Sequence, residues 1–93
     1  MTYSSLLRKL FLPTLYNMAK QIRNNKLLKG IAAVLKELRE AKDVSQEEVY
    51  NDTNIHVGRI ETAKANPTVS TLSALCKYFD ISLSEFYKRV EGL

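Results

Sequence analysis

The chain has 93 residues, 45% of them hydrophobic, and a formal net charge of +4. That length allows one domain, burying about 60–65% of the unfolded chain's surface, and the apolar content excludes a disordered chain. One cysteine excludes an internal disulfide, and one cysteine with one histidine cannot supply a tetrahedral zinc site, so no metal or other cofactor is expected. The first residues, "MTYSSLLRKLFLPTLYN", do not read as a signal peptide. Arg8 and Lys9 split the apolar residues, Pro13 breaks the second run, and no small-residue cleavage site follows. Leu6, Leu7, Leu10 and Phe11 instead form a short helical stripe, suited to a packing or dimer contact rather than a membrane anchor. Met18 offers an alternative start, and if it is used the residues before it are dispensable. No apolar run approaches the ~20 residues of a membrane span, so a cytoplasmic protein is expected.

Charge divides the chain. Residues 1–36 carry seven Lys or Arg and no acid, whereas residues 37–93 carry seven bases against ten acids. The expected organisation is a basic extension over residues 1–24 and a globular domain over residues 25–93. A basic arm on a nearly neutral globule suits phosphate tracking; a solvated helix face is the plainer reading.

Leu28, Ile31, Leu35 and Leu38 are spaced three and four apart, which makes one apolar helical face. Asn24 or Asn25 can cap this first helix, Gly30 costs it about 1 kcal/mol, and it should end near Lys42. Ser45 followed by Glu48 is a capping box, and Glu47 and Glu48 place anions at the positive end of a second helix running to about Asp52. Val49 anchors it. Asn54 is the natural turn residue, because Asn tolerates the left-handed conformation. A third helix is anchored by Val57 and Ile60. Pro67 stops the chain, and Thr68 or Ser70 caps a fourth helix whose core side is Val69, Leu72, Leu75, Cys76 and Phe79. Cys76 reads as a core thiol, since buried free cysteine behaves as a small hydrophobe. Ser82 and Glu85 form a second capping box that opens the last helix, "LSEFYKRV". Five short helices with short links make an all-α domain.

The segments "LKELREAKDVSQEEV", "TNIH" and "RIETAKANPTVSTLSALCKYFDISLSEF" resemble the Cro/lambda-repressor-like (Xre-type) helix-turn-helix regulators over about Ile31 to Phe86. The resemblance implies a five-helix lambda-repressor-like DNA-binding fold in which the second and third helices form the binding unit. Between Ser45 and Glu61 the chain is about three residues shorter than the usual pattern of that family. Reading forward from Ser45, the loss falls in the third helix, with Asn54 at the turn and Ile55 buried behind it. Reading backward from Glu61, it falls in the second helix and Ile55 moves into the groove. The forward register is preferred, giving a third helix of about two turns from His56 to Ala63.

By position in that family, the resemblance implies a phosphate contact for Gln46, at the positive end of its helix. His56 and Arg59 are the base candidates, Arg59 because a guanidinium donates twice to guanine O6 and N7. Thr53 and Asn54 are candidates for phosphate or base, Ile55 for a thymine methyl in the backward register, and Lys64 and Asn66 for phosphate. Lys20, Arg23 and Lys26 extend these contacts as an arm. Arg39 and Glu61 are implied to form a structural salt bridge. The apolar strip Phe86, Tyr87 and Val90 on the last helix reads as a homodimer interface. The expected function is a sequence-specific duplex-DNA regulator, a repressor acting as a homodimer. The alternative is a protein-interaction module, such as an antitoxin-like partner, favoured by the acidic excess of residues 37–93. No nucleophile–histidine–carboxylate set suggests an enzyme.

Overall fold

The computed structural model of the protein describes residues 23–93. Lys20, the stripe Leu6–Phe11 and the alternative start at Met18 lie outside the described residues. Five helices follow in order: α1 Asn25–Lys42, α2 Gln46–Thr53, α3 Val57–Glu61, α4 Val69–Tyr78 and α5 Leu83–Glu91. No strand occurs among the described residues. The domain is all-α, as its patterning predicts.

Four of the five helices begin where a short polar side chain holds a free backbone N–H; α3, entered through His56, has no such cap. Asn24 accepts from Leu27, Ser45 from Glu48, Thr68 from Thr71 and Ser82 from Glu85, all at 2.9–3.1 Å. At Ser45 the box closes from both sides, the Glu48 carboxylate accepting from the Ser45 N–H at 3.3 Å. At Ser82 only the hydroxyl half forms. Glu85 turns instead toward Arg89, one helical turn on, at 3.6 Å. Asp43 and Asp80 end α1 and α4 in the left-handed conformation, with φ of 58° and 57°. The next N–H in each case reaches back five residues, Val44 to the Arg39 carbonyl and Ile81 to that of Cys76. This satisfies carbonyls that a helix end would otherwise leave bare.

The core takes Ile31, Val34, Leu35 and Leu38 from α1, Val49 from α2, Val57 and Ile60 from α3, Leu72, Leu75 and Cys76 from α4, Phe79 just beyond it, and Phe86 and Val90 from α5. Burial pushes the Cys76 thiol pKa up, as it disfavours the thiolate. α1 is the central element, packing against both α3 and α5. Gly30 explains how α5 comes so close. A Cβ there would lie 3.0 Å from Val90 Cγ1, so the helix propensity given up at Gly30 is offset by contact with α5.

Three expectations are corrected by this packing. Phe86 and Val90 are 0% and 6% exposed, so they belong to the monomer core and offer nothing to a partner; only Tyr87 stays partly accessible. Val69 is 62% exposed, because the first residue of α4 faces away from the core. The third helix is shorter than the two turns expected, closing at Glu61 after five residues. There the Thr62 hydroxyl donates to the Arg59 carbonyl at 2.6 Å, and Ala63 enters the left-handed region at φ 63°.

One link outside the core makes stability depend on pH. Tyr78 donates its phenolic proton to Asp52 Oδ2 at 2.6 Å, tying α4 to α2. That hydrogen bond, with smaller contributions from desolvation and the nearby carboxylates, pushes the Tyr78 pKa up to about 12. The folded value is above the unfolded value of ~10, so the contribution is intact below pH ~10 and is lost as pH rises toward 12. Tyrosinate absorbance should therefore show a late-ionising phenol that Tyr78→Phe removes. A titration unchanged by that substitution would contradict the hydrogen bond.

Candidate nucleic-acid interface

The turn between α2 and α3 is built from local chemistry. Asn54 adopts φ 62° and its N–H donates to the Tyr50 carbonyl at 2.7 Å. Thr53 donates its hydroxyl to the Val49 carbonyl at 2.6 Å and accepts from the Ile55 N–H at 3.1 Å. Its side chain thus belongs to the turn, which takes it out of the set of DNA contacts. Ile55 is half-buried and packs on the core, as the forward register requires, so the groove role of the backward register falls away. Asn54 itself is exposed.

Behind the turn, Glu61 gathers three donors. Arg39 approaches with Nε at 2.8 Å and Nη2 at 3.0 Å, and Gln46 Nε2 donates at 3.2 Å. The Arg39 and Glu61 side chains are 15% and 5% exposed. Arg39 also donates to the Val44 carbonyl at 3.1 Å, so one guanidinium ties α1 to the α1–α2 link and to α3. The hydrogen bond to Glu61 holds the Arg39 pKa above its ordinary value. A paired guanidinium–carboxylate fork fixes orientation as well as distance. Gln46, expected to meet phosphate, has its amide N–H engaged by Glu61 and lies against Gly58, where a Cβ would sit 2.8 Å from Gln46 Oε1.

α3 has little left to present. Val57 and Ile60 are buried, Gly58 has no side chain, and Glu61 is engaged. Arg59 alone among the five residues of α3 is an exposed side chain. His56 precedes it, exposed and stacked on Tyr50 with ring centroids 4.2 Å apart and planes at 21°. Gln46, Glu47, Tyr50, His56, Gly58 and Arg59 line one open cleft of about 380 Å³. Tyr50 was not among the residues singled out from sequence. Its spacing of four from Gln46, which places both on one face of α2, is the signal that would have found it.

The remaining candidates lie apart from the cleft lining. Lys64 and Asn66 are exposed on the loop after α3, where the Lys64 N–H donates to the Thr62 hydroxyl at 3.3 Å. Arg23 donates through Nη2 to the carbonyls of Ala63 and Lys64, which sets its exposed guanidinium against the loop that carries Lys64 and Asn66. Lys26 is exposed on the first turn of α1, beside Leu27, Gly30, Val90 and Leu93. Among the described residues no cluster of side chains suits a metal ion, and no helix is long and apolar enough to cross a membrane.

A sequence model of the helix-turn-helix family matches residues 35–86, a span that holds the capping box, the Asn54 turn, Arg59 and the Arg39–Glu61 pair. No curated protein and no solved structure matches the chain significantly. With its capped α2, its left-handed turn and α3 all inside the matched span, the chain belongs to the helix-turn-helix family of Cro/C1 type, a family of DNA-binding regulators.

Proposed function

We propose that the protein binds specific duplex DNA as a homodimer and acts as a repressor, with the cleft between α2 and α3 turned to the major groove. The carrying observation is that Tyr50, His56 and Arg59 line a single open cleft on the helix-turn-helix unit. A side chain at the N-terminal side of a recognition helix is where base edges are read. Lys64 and Asn66 follow as phosphate contacts, with Lys26 and, outside the described residues, Lys20 as further positive charge. A five-residue α3 makes few base contacts, so one copy binds weakly. Two copies on half-sites about 34 Å apart, or a multiple of that spacing, combine their contacts. Exposed Leu27 and Leu93, beside the partly accessible Tyr87 helix, supply apolar surface for the second copy in place of Phe86 and Val90. Occupying duplex excludes other proteins from it, which makes repression the direct consequence of binding.

A titration of labelled duplex tests this reading. Saturation is expected at two protomers per site. Arg59→Ala should relax preference at one base position by about 1–3 kcal/mol, whereas Lys64→Ala should weaken every sequence and reduce the salt slope by about one. Equal effects of the two variants on all sequences would contradict the assigned roles.

The protein-interaction reading draws on the same surface: Leu27 and Leu93 border a groove of about 500 Å³ at the end of α1 and α5 that a different protein could fill instead of a second copy. Co-purification of a partner, together with no gel shift on duplex at low salt, would favour it.

A further inference from the structure

We infer that Tyr50, supported by His56, is a specificity-determining residue that packs on a thymine methyl in the base pair next to the one read by Arg59. The inference rests on the DNA-binding reading above and names a reader outside the recognition helix. It begins from scarcity. Of the five α3 residues, two are buried, one is glycine and one is engaged by Arg39 and Gln46, which leaves Arg59. One side chain specifies little sequence, so further readout has to come from groups that share its cleft.

The candidates in that cleft are Gln46, Glu47, Tyr50 and His56. Gln46 is turned inward, one amide N–H held by Glu61 at 3.2 Å and Oε1 set against Gly58. Glu47 is an acid that phosphate repels. Tyr50 is 38% exposed, a large apolar surface left in water on a small domain, and its ring is fixed by the His56 stack at 4.2 Å. His56 makes no side-chain cap to α3, so its ring is committed to the stack and not to the helix end. A large aromatic surface held in place loses little side-chain entropy on binding. Apolar surface in the major groove has one distinctive partner, the C5-methyl of thymine. Tyr50 therefore supplies the apolar half of the readout and Arg59 the hydrogen-bonding half.

The test starts by selecting bound duplexes from a random pool with the full chain. Selected sites are expected to pair a guanine position with an adjacent thymine. Replacing that thymine by uracil removes only the methyl, and should weaken wild-type binding about fourfold, the worth of burying one methyl group. The same replacement should leave Tyr50→Ala unaffected, while Tyr50→Phe keeps the wild-type response. His56→Ala should reduce the methyl effect without abolishing the guanine preference. If uracil costs the wild type nothing at any thymine of the site, the inference is overturned, and that result needs no variant to fold. If Tyr50→Ala selects the same sites as the wild type, it is overturned again. Wild-type protein that selects no sequence and ignores duplex at low salt would instead remove the DNA-binding reading itself, and this inference with it.

Discussion

Glu61→Ala should lower the unfolding free energy by about 3–5 kcal/mol, because it strands a charged partner in a largely water-excluded position. Glu61 accepts from Arg39 twice and from Gln46 once, with a side chain only 5% exposed. Without it the Arg39 guanidinium retains, among the described residues, the Val44 carbonyl. The loss comes from the unpaired charge more than from the missing pair. Replacing both residues by apolar ones, Arg39→Met with Glu61→Leu, should therefore recover much of the stability. Urea unfolding checks this: the midpoint should fall in the single variant at unchanged slope and return in the double variant. A single variant within 0.5 kcal/mol of the wild type (about the scatter of surface substitutions) would mean the bridge holds nothing together.

Leu75→Ala should cost about 2–5 kcal/mol, the range for emptying a buried leucine site. Leu75 is 0% exposed, in the middle of α4, with Leu72 and Cys76 beside it in the core. Against a typical total of about 5–15 kcal/mol, such a loss is a large fraction of what a small domain has. The thermal midpoint should drop by roughly 10 °C or more. Leu75→Met, which conserves volume, should cost less than about 1.5 kcal/mol. Equal melting of the two variants would show that the site is not packed as described.

The starts of α1, α2, α4 and α5 are legible because each depends on one side chain and the backbone within three residues of it. Asn24, Ser45, Thr68 and Ser82 are all such caps. The α1 stripe is legible too, and the α4 stripe apart from Val69, since period alone places their residues on one face. What period does not carry is the thickness of the core. Phe86 and Val90 read as surplus to it, yet both are buried, Val90 against the open space at Gly30. The end of α3 was similarly hidden. Nothing like proline or glycine marks Thr62 or Ala63, and the stop comes from a threonine hydroxyl and a left-handed alanine.

The candidate site was legible in part for the same reason. Arg59, Lys64 and Asn66 are exposed, as residues of their type between core positions usually are. Thr53 looked like a free hydroxyl, but a threonine at a helix end finds nearby backbone before it finds a ligand. The Arg39–Glu61 pair spans 22 residues, a separation that no local pattern encodes. It was reached through the family resemblance, and so was the forward register of the turn. Tyr50 is not legible because an aromatic residue on a short helix is more often core than reader, and only its 38% exposure in the fold separates the two.

The most direct test of the DNA-reading face is a fluorescence titration of a selected duplex and its scrambled counterpart at several salt concentrations. A face that reads bases through Arg59 should bind the selected duplex at least about tenfold more tightly at every salt concentration. Affinity for both duplexes should fall as salt rises, because phosphate contacts release counterions, and Arg59→Ala should shrink the gap between them while leaving that fall in place. Folded wild-type protein that binds the two duplexes equally, with a gap that Arg59→Ala does not change, would contradict the account.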